Sequence, residues 1–336
     1  MKELQNLQDT LSVRLNIVKL FFKMFSDNFD WCRYTWLAEK QRKRGIVETF
    51  LWYRYKYLVD NNPKIIIDSI WKNQYGRTPD WNCPRDLNEK IEWLICFGDT
   101  SKWVKLADKY AVRKYVAIKG YPNILTKLYG VWDDATKIDY DKLPNKFVIK
   151  CNHDSGSYHL IDKKEEFDRD AINKDLNKHL CHKFGYRFCE PHYNKIKPQI
   201  IAEEYLENDD SISSSIIDYK VWCFNGIPFT ILVIYNRHKE YMYTNAYDLD
   251  WQVHPEWSNF SNHYRDGEGK VPKPEKLPEM LKIAGDLSKG FPQVRVDFYI
   301  LDNKIYFGEM TFTSACGRMD YFSDDFLKEM GDKVVL

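Results

Sequence analysis

Two acidic residues near the C-terminus lie on strand-like segments that a short turn connects. The segments read Val294-Arg295-Val296-Asp297-Phe298-Tyr299 and Ile305-Tyr306-Phe307-Gly308-Glu309-Met310-Thr311-Phe312, with Asp302-Asn303 between them. Alternate residues of a strand share one face, so Asp297 and Glu309 can face one another across a hairpin. Oxygen ligands beside a cation, here Arg295, suit Mg²⁺ bound to a nucleotide triphosphate. An ordinary half-buried hairpin shows the same alternation.

A second strand-like run leads into a polar loop that could bind phosphate. Phe147-Val148-Ile149-Lys150 continues into Cys151-Asn152-His153-Asp154-Ser155-Gly156-Ser157-Tyr158. Exposed amides and hydroxyls of such a loop can surround phosphate oxygens, while Lys150 neutralises charge. The loop is not a Walker A sequence, and ordinary turns share its composition.

A third run, Ile200-Ile201-Ala202-Glu203-Glu204-Tyr205-Leu206, ends an apolar strand with acidic residues. Its backbone groups could contact an adenine edge, and its carboxylates could bind the amino group or the ribose. A plain strand end would look similar.

Composition narrows the class of protein. The 336 residues are 44% hydrophobic and 16% aromatic, which is enough for two or three globular domains. Lys and Arg total 50 against 49 Asp and Glu, so the overall charge of +1 does not favour a nucleic-acid partner. The 8 cysteines form no CxxC pair, and we expect reduced thiols in the cytoplasm. A zinc site is an alternative for four residues, Cys181, His182, Cys189 and His192. Their spacing matches no common zinc finger.

The chain divides into three predicted regions. Residues 1–62 are predicted to be a helical, aromatic and basic extension that ends at Asn61-Asn62-Pro63. Residues 63–141 show helical periodicity at 87–94 and 105–116, then short strand-like pieces near 124 and 128–131. Residues 142–336 have predicted strands at 146–150, 199–203, 219–224, 229–234 and in the C-terminal hairpin, with helices near 170–183 and 278–289. Asn225-Gly226 predicts a further hairpin, so the expected fold class is α+β with mainly antiparallel strand pairs.

The N-terminal extension does not predict a membrane-spanning helix. Its apolar stretch at 11–25 is interrupted by Arg14, Lys19 and Lys23. Its aromatic residues and the basic run at 40–44 are similar to an interfacial amphipathic helix. We therefore expect a cytoplasmic protein. Peripheral contact of residues 1–62 with the inner face of the membrane or with a polysaccharide-assembly complex remains open, as does packing into a homodimer.

The order of these motifs resembles the ATP-grasp superfamily. Four runs are similar to its TupA-like branch, which occurs among bacterial surface-polysaccharide and teichuronopeptide biosynthesis proteins: Asp108-Lys109-Tyr110-Ala111-Val112-Arg113, Pro144-Asn145-Lys146-Phe147-Val148-Ile149-Lys150-Cys151-Asn152-His153, Ile201-Ala202-Glu203-Glu204-Tyr205-Leu206 and Asp218-Tyr219-Lys220. The resemblance covers roughly residues 64–336. It implies an ATP-grasp fold, in which two α+β lobes hold ATP between them.

The resemblance also implies roles for individual residues. The catalytic cations would be Arg295, Lys150 and Lys220. ATP would be contacted by Arg113 and Lys150 at the α- and β-phosphates, by Asn152, Ser155, Gly156 and Ser157 over the γ-phosphate, by Glu203, Tyr205 and Leu206 at adenine, by Asp210 at the ribose, and by Lys220 on the phosphate side. Magnesium would be bound by Asp297, Glu309 and Thr311. The acceptor pocket would be bordered by Ser314, Gly317 and Arg318.

Two residues depart from the family pattern. Asp154 in the phosphate loop would repel a triphosphate unless it points away or helps to bind metal. Thr311 offers a hydroxyl where relatives such as D-alanine:D-alanine ligase have asparagine. Both departures concern the geometry of the metal and phosphate site more than the fold.

The chemistry that the resemblance implies is ATP-dependent ligation of a carboxylate to an amine through an acyl phosphate. The substrates would be a small-molecule or nucleotide-sugar carboxylate and an amine, and the product would be an amide on a cell-surface sugar. Phosphoryl transfer to a sugar hydroxyl remains an alternative, because the sequence does not show which acceptor is used. Arg318 together with Arg237 would favour a carboxylate acceptor. A non-catalytic nucleotide-binding scaffold is the third interpretation.

Overall fold

A computed structural model describes residues 46–208 and 211–336, which divide into two compact units. The first comprises residues 46–80 and 186–191, and the second comprises residues 81–185 with the described part of 192–336. The predicted limit at residue 62 lies inside the first unit, and the limit at 141 lies inside the second. The predicted domain limits remain predictions.

The first unit contains two helices, α1 (Ile46–Asn61) and α2 (Pro63–Tyr75). The predicted helix end at Asn61 is observed, but Pro63 begins a second helix that the sequence analysis did not identify. Proline suits the first position of a helix because its missing N–H would have no partner there. The predicted helical character of residues 1–45 lies outside the described residues.

The other helices and the strands follow in chain order. The helices are α3 (Leu87–Phe97), α4 (Trp103–Leu106), α5 (Val112–Ile118), α6 (Arg169–Leu180), α7 (Pro191–Asn194), α8 (Leu277–Ser288) and α9 (Asp324–Asp332). The strands are β1 (Leu128–Trp132), β2 (Phe147–Cys151), β3 (His159–Ile161), β4 (Ile200–Glu204), β5 (Asp218–Phe224), β6 (Ile227–Tyr235), β7 (Met242–Tyr247), β8 (Tyr264–Asp266), β9 (Val294–Leu301) and β10 (Lys304–Thr311). Within the described ranges, no helix has both the length and the apolar character needed to cross a bilayer.

The predicted helix at 105–116 is interrupted in the structure. The Asp108 carboxylate accepts the backbone N–H groups of Tyr110 and Ala111 at 2.8 and 3.1 Å. This local capping competes with helical hydrogen bonds, so the chain forms α4 and α5 instead of one continuous helix.

The strands form two sheets in the second unit. Their orders are β1-β4-β2-β3 and β10-β9-β5-β6-β7-β8, and every neighbouring pair is antiparallel except β7 with β8. The α+β class with mainly antiparallel pairing is thus confirmed. Asn225 and Gly226 form the predicted tight turn with φ values of 51° and 87°, as a type I′ hairpin requires.

Each sheet has one face that packs on a helix and one face that carries charge. In the four-stranded sheet, Phe147 and Ile149 of β2 are buried in a core with Leu176 of α6, whereas Lys150 points to the other side. In the six-stranded sheet, α8 packs against β5, β6 and β9. Lys220 lies opposite Asp297 in the ladder, and the alternation of side chains directs both away from the helix-covered face.

A β-bulge at Gly308 sets the register of the C-terminal hairpin. Phe307 pairs with Phe298, and the next pair is Glu309 with Asp297, so Gly308 has no partner. A Cβ atom on Gly308 would lie 3.0 Å from the Asp297 carbonyl oxygen, which explains the need for glycine. Regular pairing through Gly308 would place Glu309 on the helix-covered face, because a shift of one residue reverses the faces.

Candidate active site

Asp297 is the centre of a buried charged cluster on the open face of the six-stranded sheet. Its carboxylate accepts hydrogen bonds from Arg295 Nε at 2.7 Å, Arg295 Nη2 at 2.8 Å and Lys220 Nζ at 2.5 Å. Lys220 also contacts Asp218 at 2.8 Å. The side chain of Asp297 is 2% exposed, so its charge depends on these two cations for compensation.

Glu309 and Thr311 extend this cluster onto β10. Glu309 Oε1 lies 3.1 Å from Arg295 Nη2 and 3.0 Å from Thr311 Oγ1. Burial favours the neutral carboxyl, but Lys109 and Arg295 lower the pKa of Glu309 to about 2. The side chain remains 39% exposed. Glu309 is therefore an ionised carboxylate that a ligand can reach.

A second cluster lies on the open face of the four-stranded sheet. Glu203 accepts Lys150 Nζ at 2.6 Å and Arg113 Nη1 at 2.9 Å. Burial raises the pKa of Glu203, yet Lys150 and Arg113 hold it below its usual value. The structure therefore brings Glu203 to the predicted phosphate cations, a partnership that the sequence analysis missed. Its predicted contact with adenine remains a prediction.

The loop after β2 is held by internal hydrogen bonds. Asn152 is buried, and its amide nitrogen donates to Asp108 at 2.8 Å while its amide oxygen accepts the Gln199 N–H at 2.7 Å. The backbone N–H of Asn152 also donates to the Gln199 carbonyl oxygen at 2.9 Å. These contacts anchor the loop, and the predicted phosphate contact of Asn152 remains a prediction. Ser155 and Gly156 are exposed at the tip of the loop, where Gly156 has a φ of 90°.

Asp154 points away from the exposed tip of this loop. Its side chain is 2% exposed and accepts His179 Nδ1 at 2.6 Å. Ser157 Oγ donates to the same carboxylate and accepts the Cys151 N–H at 3.1 Å. Ser157 is thus placed inside the loop, and the repulsion that Asp154 would cause is removed because its carboxylate faces inward.

Lys109 is a site residue that the sequence analysis did not select. Its ammonium donates to the carbonyl oxygen of Asp154, and its backbone N–H donates to Asn152 O at 3.0 Å. It also lowers the pKa values of Glu203 and Glu309, so it lies within electrostatic reach of both clusters. The sequence offered one indication of this role, because Lys109 belongs to the same family-like run as the predicted phosphate ligand Arg113.

The predicted acceptor residues lie in the segment that follows β10. Ser314 Oγ is 3.4 Å from Arg295 Nη1, so Ser314 belongs to the Asp297 cluster. Arg318 instead contacts Glu92 of α3 at 2.5 Å, and a Cβ atom on Gly317 would lie 3.1 Å from Glu92 and Ile91. Gly317 and Arg318 are thus placed against α3, and their predicted contact with an acceptor remains a prediction.

The remaining predicted residues belong to the segment after β4. Tyr205 and Leu206 are half-buried directly beyond the strand end. Asp210, the predicted ribose contact, lies outside the described residues. Within the described residues, no group of three or more His, Cys, Asp or Glu side chains could hold a metal ion. The open zinc alternative is therefore not supported there, and the Asp297 cluster supplies two carboxylates and a hydroxyl.

The family is shown by comparison with known proteins. The model of the TupA-like ATP-grasp family matches residues 89–335. This is well over half of the chain, and the protein belongs to the TupA-like ATP-grasp family. It is thus a member of the ATP-grasp superfamily. The comparison with curated proteins gave no match.

Solved structures with a related fold include three ligases. An L-amino acid ligase from Bacillus licheniformis has 10% identity and a TM-score of 0.41, with 75% of this chain and 55% of that chain covered. D-Alanine-D-alanine ligase from Helicobacter pylori has 14% identity and a TM-score of 0.38, with coverages of 75% and 68%. The Bacillus anthracis D-alanine-D-alanine ligase complexed with ATP has 16% identity and a TM-score of 0.35, with coverages of 62% and 54%. The chain thus spans about half the length of that last enzyme.

Proposed function

We propose that the protein is an ATP-dependent carboxylate–amine ligase that forms an amide on a sugar acid or related precursor of a bacterial cell-surface polysaccharide. The observation that supports this most is the continuous line of alternating charges on one sheet face. It runs from Glu309 through Arg295, Asp297 and Lys220 to Asp218. Such a set of fixed charges suits a reaction in which negative charge is transferred with a phosphoryl group.

The residues present fit ATP and magnesium. Lys150, Arg113 and Lys109 supply positive charge for a polyphosphate at the four-stranded sheet. Asp297 and Glu309 with the Thr311 hydroxyl offer only oxygen ligands, and Mg²⁺ commonly binds one or two carboxylates together with substrate phosphates and water. Bound there, magnesium would neutralise charge on phosphate oxygens.

The proposed reaction has two chemical steps. A carboxylate oxygen of the acyl donor attacks the γ-phosphorus, the bond to the β–γ bridging oxygen breaks, and ADP leaves. The amine then attacks the carbonyl carbon of the acyl phosphate, inorganic phosphate departs, and the amine releases a proton to water. Arg295 and Lys220 would stabilise the charge on the transferring group, and no protein nucleophile is needed.

The physiological setting is part of the proposal. We assign the reaction to the cytoplasm, with a small-molecule or nucleotide-sugar carboxylate as acyl donor. Docking through residues 1–62 to the inner face of the membrane or to an assembly complex, and association into a homodimer, are further proposals on which the ligase activity does not depend.

The decisive experiment measures ADP release from magnesium-ATP with hydroxylamine present to trap an acyl phosphate as a hydroxamate. A panel of uronic acids, nucleotide sugars and amino acids serves as the source of the carboxylate. Hydroxamate formed with one carboxylate would support the ligase and identify its acyl donor. ADP accompanied by a stable phosphosugar and no hydroxamate would contradict the ligase and indicate a kinase. Magnesium-dependent ATP binding without turnover on any compound would point to the scaffold.

A further inference from the structure

The line of alternating charges ends at Arg237, which follows directly after β6. Arg237 Nη2 donates to Asp218 Oδ2 at 2.6 Å, and the same oxygen accepts Lys220 Nζ at 2.8 Å. Lys220 in turn contacts Asp297 at 2.5 Å. Three short polar contacts therefore connect Arg237 to the carboxylate that would bind magnesium. Glu309, which Lys109 reaches electrostatically, is at the other end of the line.

The backbone around Arg237 is fixed by a serine-rich loop. The Arg237 N–H donates to Ser215 Oγ at 2.9 Å. The preceding Asn236 has a φ of 45°, and its side-chain oxygen accepts the Ser214 N–H at 2.7 Å. Since Asp218 also holds the guanidinium, both the backbone and the side chain of Arg237 are ordered without a ligand. A group positioned in this way loses little conformational entropy on binding.

Arg237 differs from the other paired cations of the site in its exposure. The side chains of Arg295, Lys220, Arg113 and Lys150 are 10%, 12%, 16% and 24% exposed, whereas that of Arg237 is 39% exposed. A guanidinium has five N–H donors, and the contact with Asp218 uses one nitrogen. Arg237 can therefore accept a second carboxylate while Asp218 continues to hold it.

Met242 and Tyr264, from two paired strands, lie near this arginine. Arg237 Nη1 is 3.9 Å from the Met242 sulfur, and Met242 pairs with Tyr264 across β7 and β8. The ring of Tyr264 is half-buried, and its centroid is 5.1 Å from that of Tyr321. Burial and the nearby Asp320 raise the pKa of Tyr264, while Arg237, Arg295 and Lys220 oppose the increase, which places its phenol within electrostatic reach of Arg237. A tyrosine offers an apolar ring surface and a polar hydroxyl, which together suit a hydroxylated ring.

We propose that Arg237 binds the carboxylate of the acyl donor and that Tyr264 contacts its sugar ring, so that the donor is an acidic sugar. This inference rests on the proposed ligase function and adds the donor subsite to it. The carboxylate would lie at the end of the charge line beyond Lys220, next to the position of the transferring phosphoryl group. Asp218 is then a positioning residue that aims the guanidinium.

The experiment compares D-glucuronate with D-glucose in the full-length protein. ADP release from magnesium-ATP, with hydroxylamine present as the amine that consumes the acyl phosphate, is measured against the concentration of each sugar for the wild type and for Arg237→Gln and Arg237→Lys. Arg265→Gln is the matched control, because Arg265 lies on the same short strand as Tyr264 but alternates to the other face of the sheet. The affinity for magnesium-ATP without sugar is measured in parallel, and it reports on folding and on the nucleotide site.

We expect the wild type to respond to glucuronate and not to glucose. Arg237→Gln should raise the KM for glucuronate at least about tenfold, since a charge-assisted hydrogen bond is lost. The KM of Arg237→Lys for glucuronate should lie between those of the wild type and Arg237→Gln, because an ammonium keeps the charge but lacks the planar arrangement of donors in a guanidinium. Magnesium-ATP affinity should change less than about twofold in both variants, and Arg265→Gln should match the wild type.

Two results would overturn the inference. An unchanged KM for glucuronate in Arg237→Gln would remove Arg237 from the subsite. Equal responses to glucuronate and glucose, or no response to either, would exclude the acidic sugar as the donor class. The ligase itself is judged separately, because hydroxamate formed from a carboxylate that is not a sugar would retain the ligase while refuting the Arg237 subsite.

Discussion

Glu92 and Arg318 form a buried ion pair between α3 and the segment after β10, and the pair predicts a structural role for Arg318. Arg318 Nη1 lies 2.5 Å from Glu92 Oε1, and the side chains of Glu92 and Arg318 are 0% and 6% exposed. Removing one partner of such a pair breaks a buried contact between opposite charges and costs about 3–5 kcal/mol. For a domain of this size, we expect the melting temperature of Arg318→Met or Glu92→Gln to fall by about 10 °C.

The double variant distinguishes the pair from two independent effects. Glu92→Gln with Arg318→Met removes both charges, so its loss of unfolding free energy should be smaller than the sum of the single losses by more than about 1 kcal/mol. Urea unfolding monitored by tryptophan fluorescence provides the four free energies. The wild type, both single variants and the double variant are measured under one buffer condition.

The outcome also decides the alternative role of Arg318. If the loss of unfolding free energy in the double variant equals the sum of the two single losses within about 0.5 kcal/mol, the two residues do not act as a pair and the structural reasoning is wrong. If Arg318→Met keeps the urea midpoint of the wild type but loses turnover with a carboxylate substrate, Arg318 binds the acceptor, as its sequence position first indicated.

Three further predictions concern the nucleotide site. Lys150→Ala and Glu309→Ala should each lower ATP turnover at least about a hundredfold while the protein remains folded, with one cooperative urea transition; unchanged turnover would remove that residue from the site. His179→Ala should weaken magnesium-ATP binding about tenfold because Asp154 loses one of its two side-chain donors, whereas His179→Asn should restore binding, since its amide can donate from the same position; equally weak binding in both variants would contradict this role. The lowered pKa of Glu203 means that its contribution to stability is present above its unfolded pKa of about 4.3 and is lost as the pH falls. Glu203→Gln should therefore flatten the pH dependence of the unfolding free energy below about pH 5, and an unaltered slope there would argue against the depressed pKa.

Much of the six-stranded sheet could be predicted because its strands alternate regularly between core and open face. The predicted strands at 219–224 and 229–234 correspond to β5 and β6, and both predicted hairpin turns have the positive φ values that such turns require. The facing of Asp297 and Glu309 was also predicted correctly. Its dependence on a bulge was missed, although a signal existed. The apolar positions 305 and 307 are followed by 310 and 312, so the period of two is broken at Gly308.

The partnerships between distant segments could not be read from the sequence. Glu203 reaches Lys150 because β4 pairs with β2 in one particular register, and register is set by the whole sheet. Asp154 is turned inward by His179, which lies on a helix 25 residues further along the chain. Pro63 was read only as a helix end, because a proline that begins a new helix produces the same local break.

The bulge at Gly308 has a consequence for changes in hairpin length. Gly308 is the unpaired residue, so a chain that lacked it would run from Phe307 to Glu309 in strict alternation and would keep Glu309 opposite Asp297. Loss of Met310 would instead turn Thr311 toward α8. The bulge therefore adds bend and twist to the strand, and by leaving Gly308 unpaired it keeps Glu309 on the face that a strand without Gly308 would give it. Deleting Gly308 would therefore straighten this hairpin without turning Glu309 over, whereas regular pairing of residue 308 would turn Glu309 toward α8.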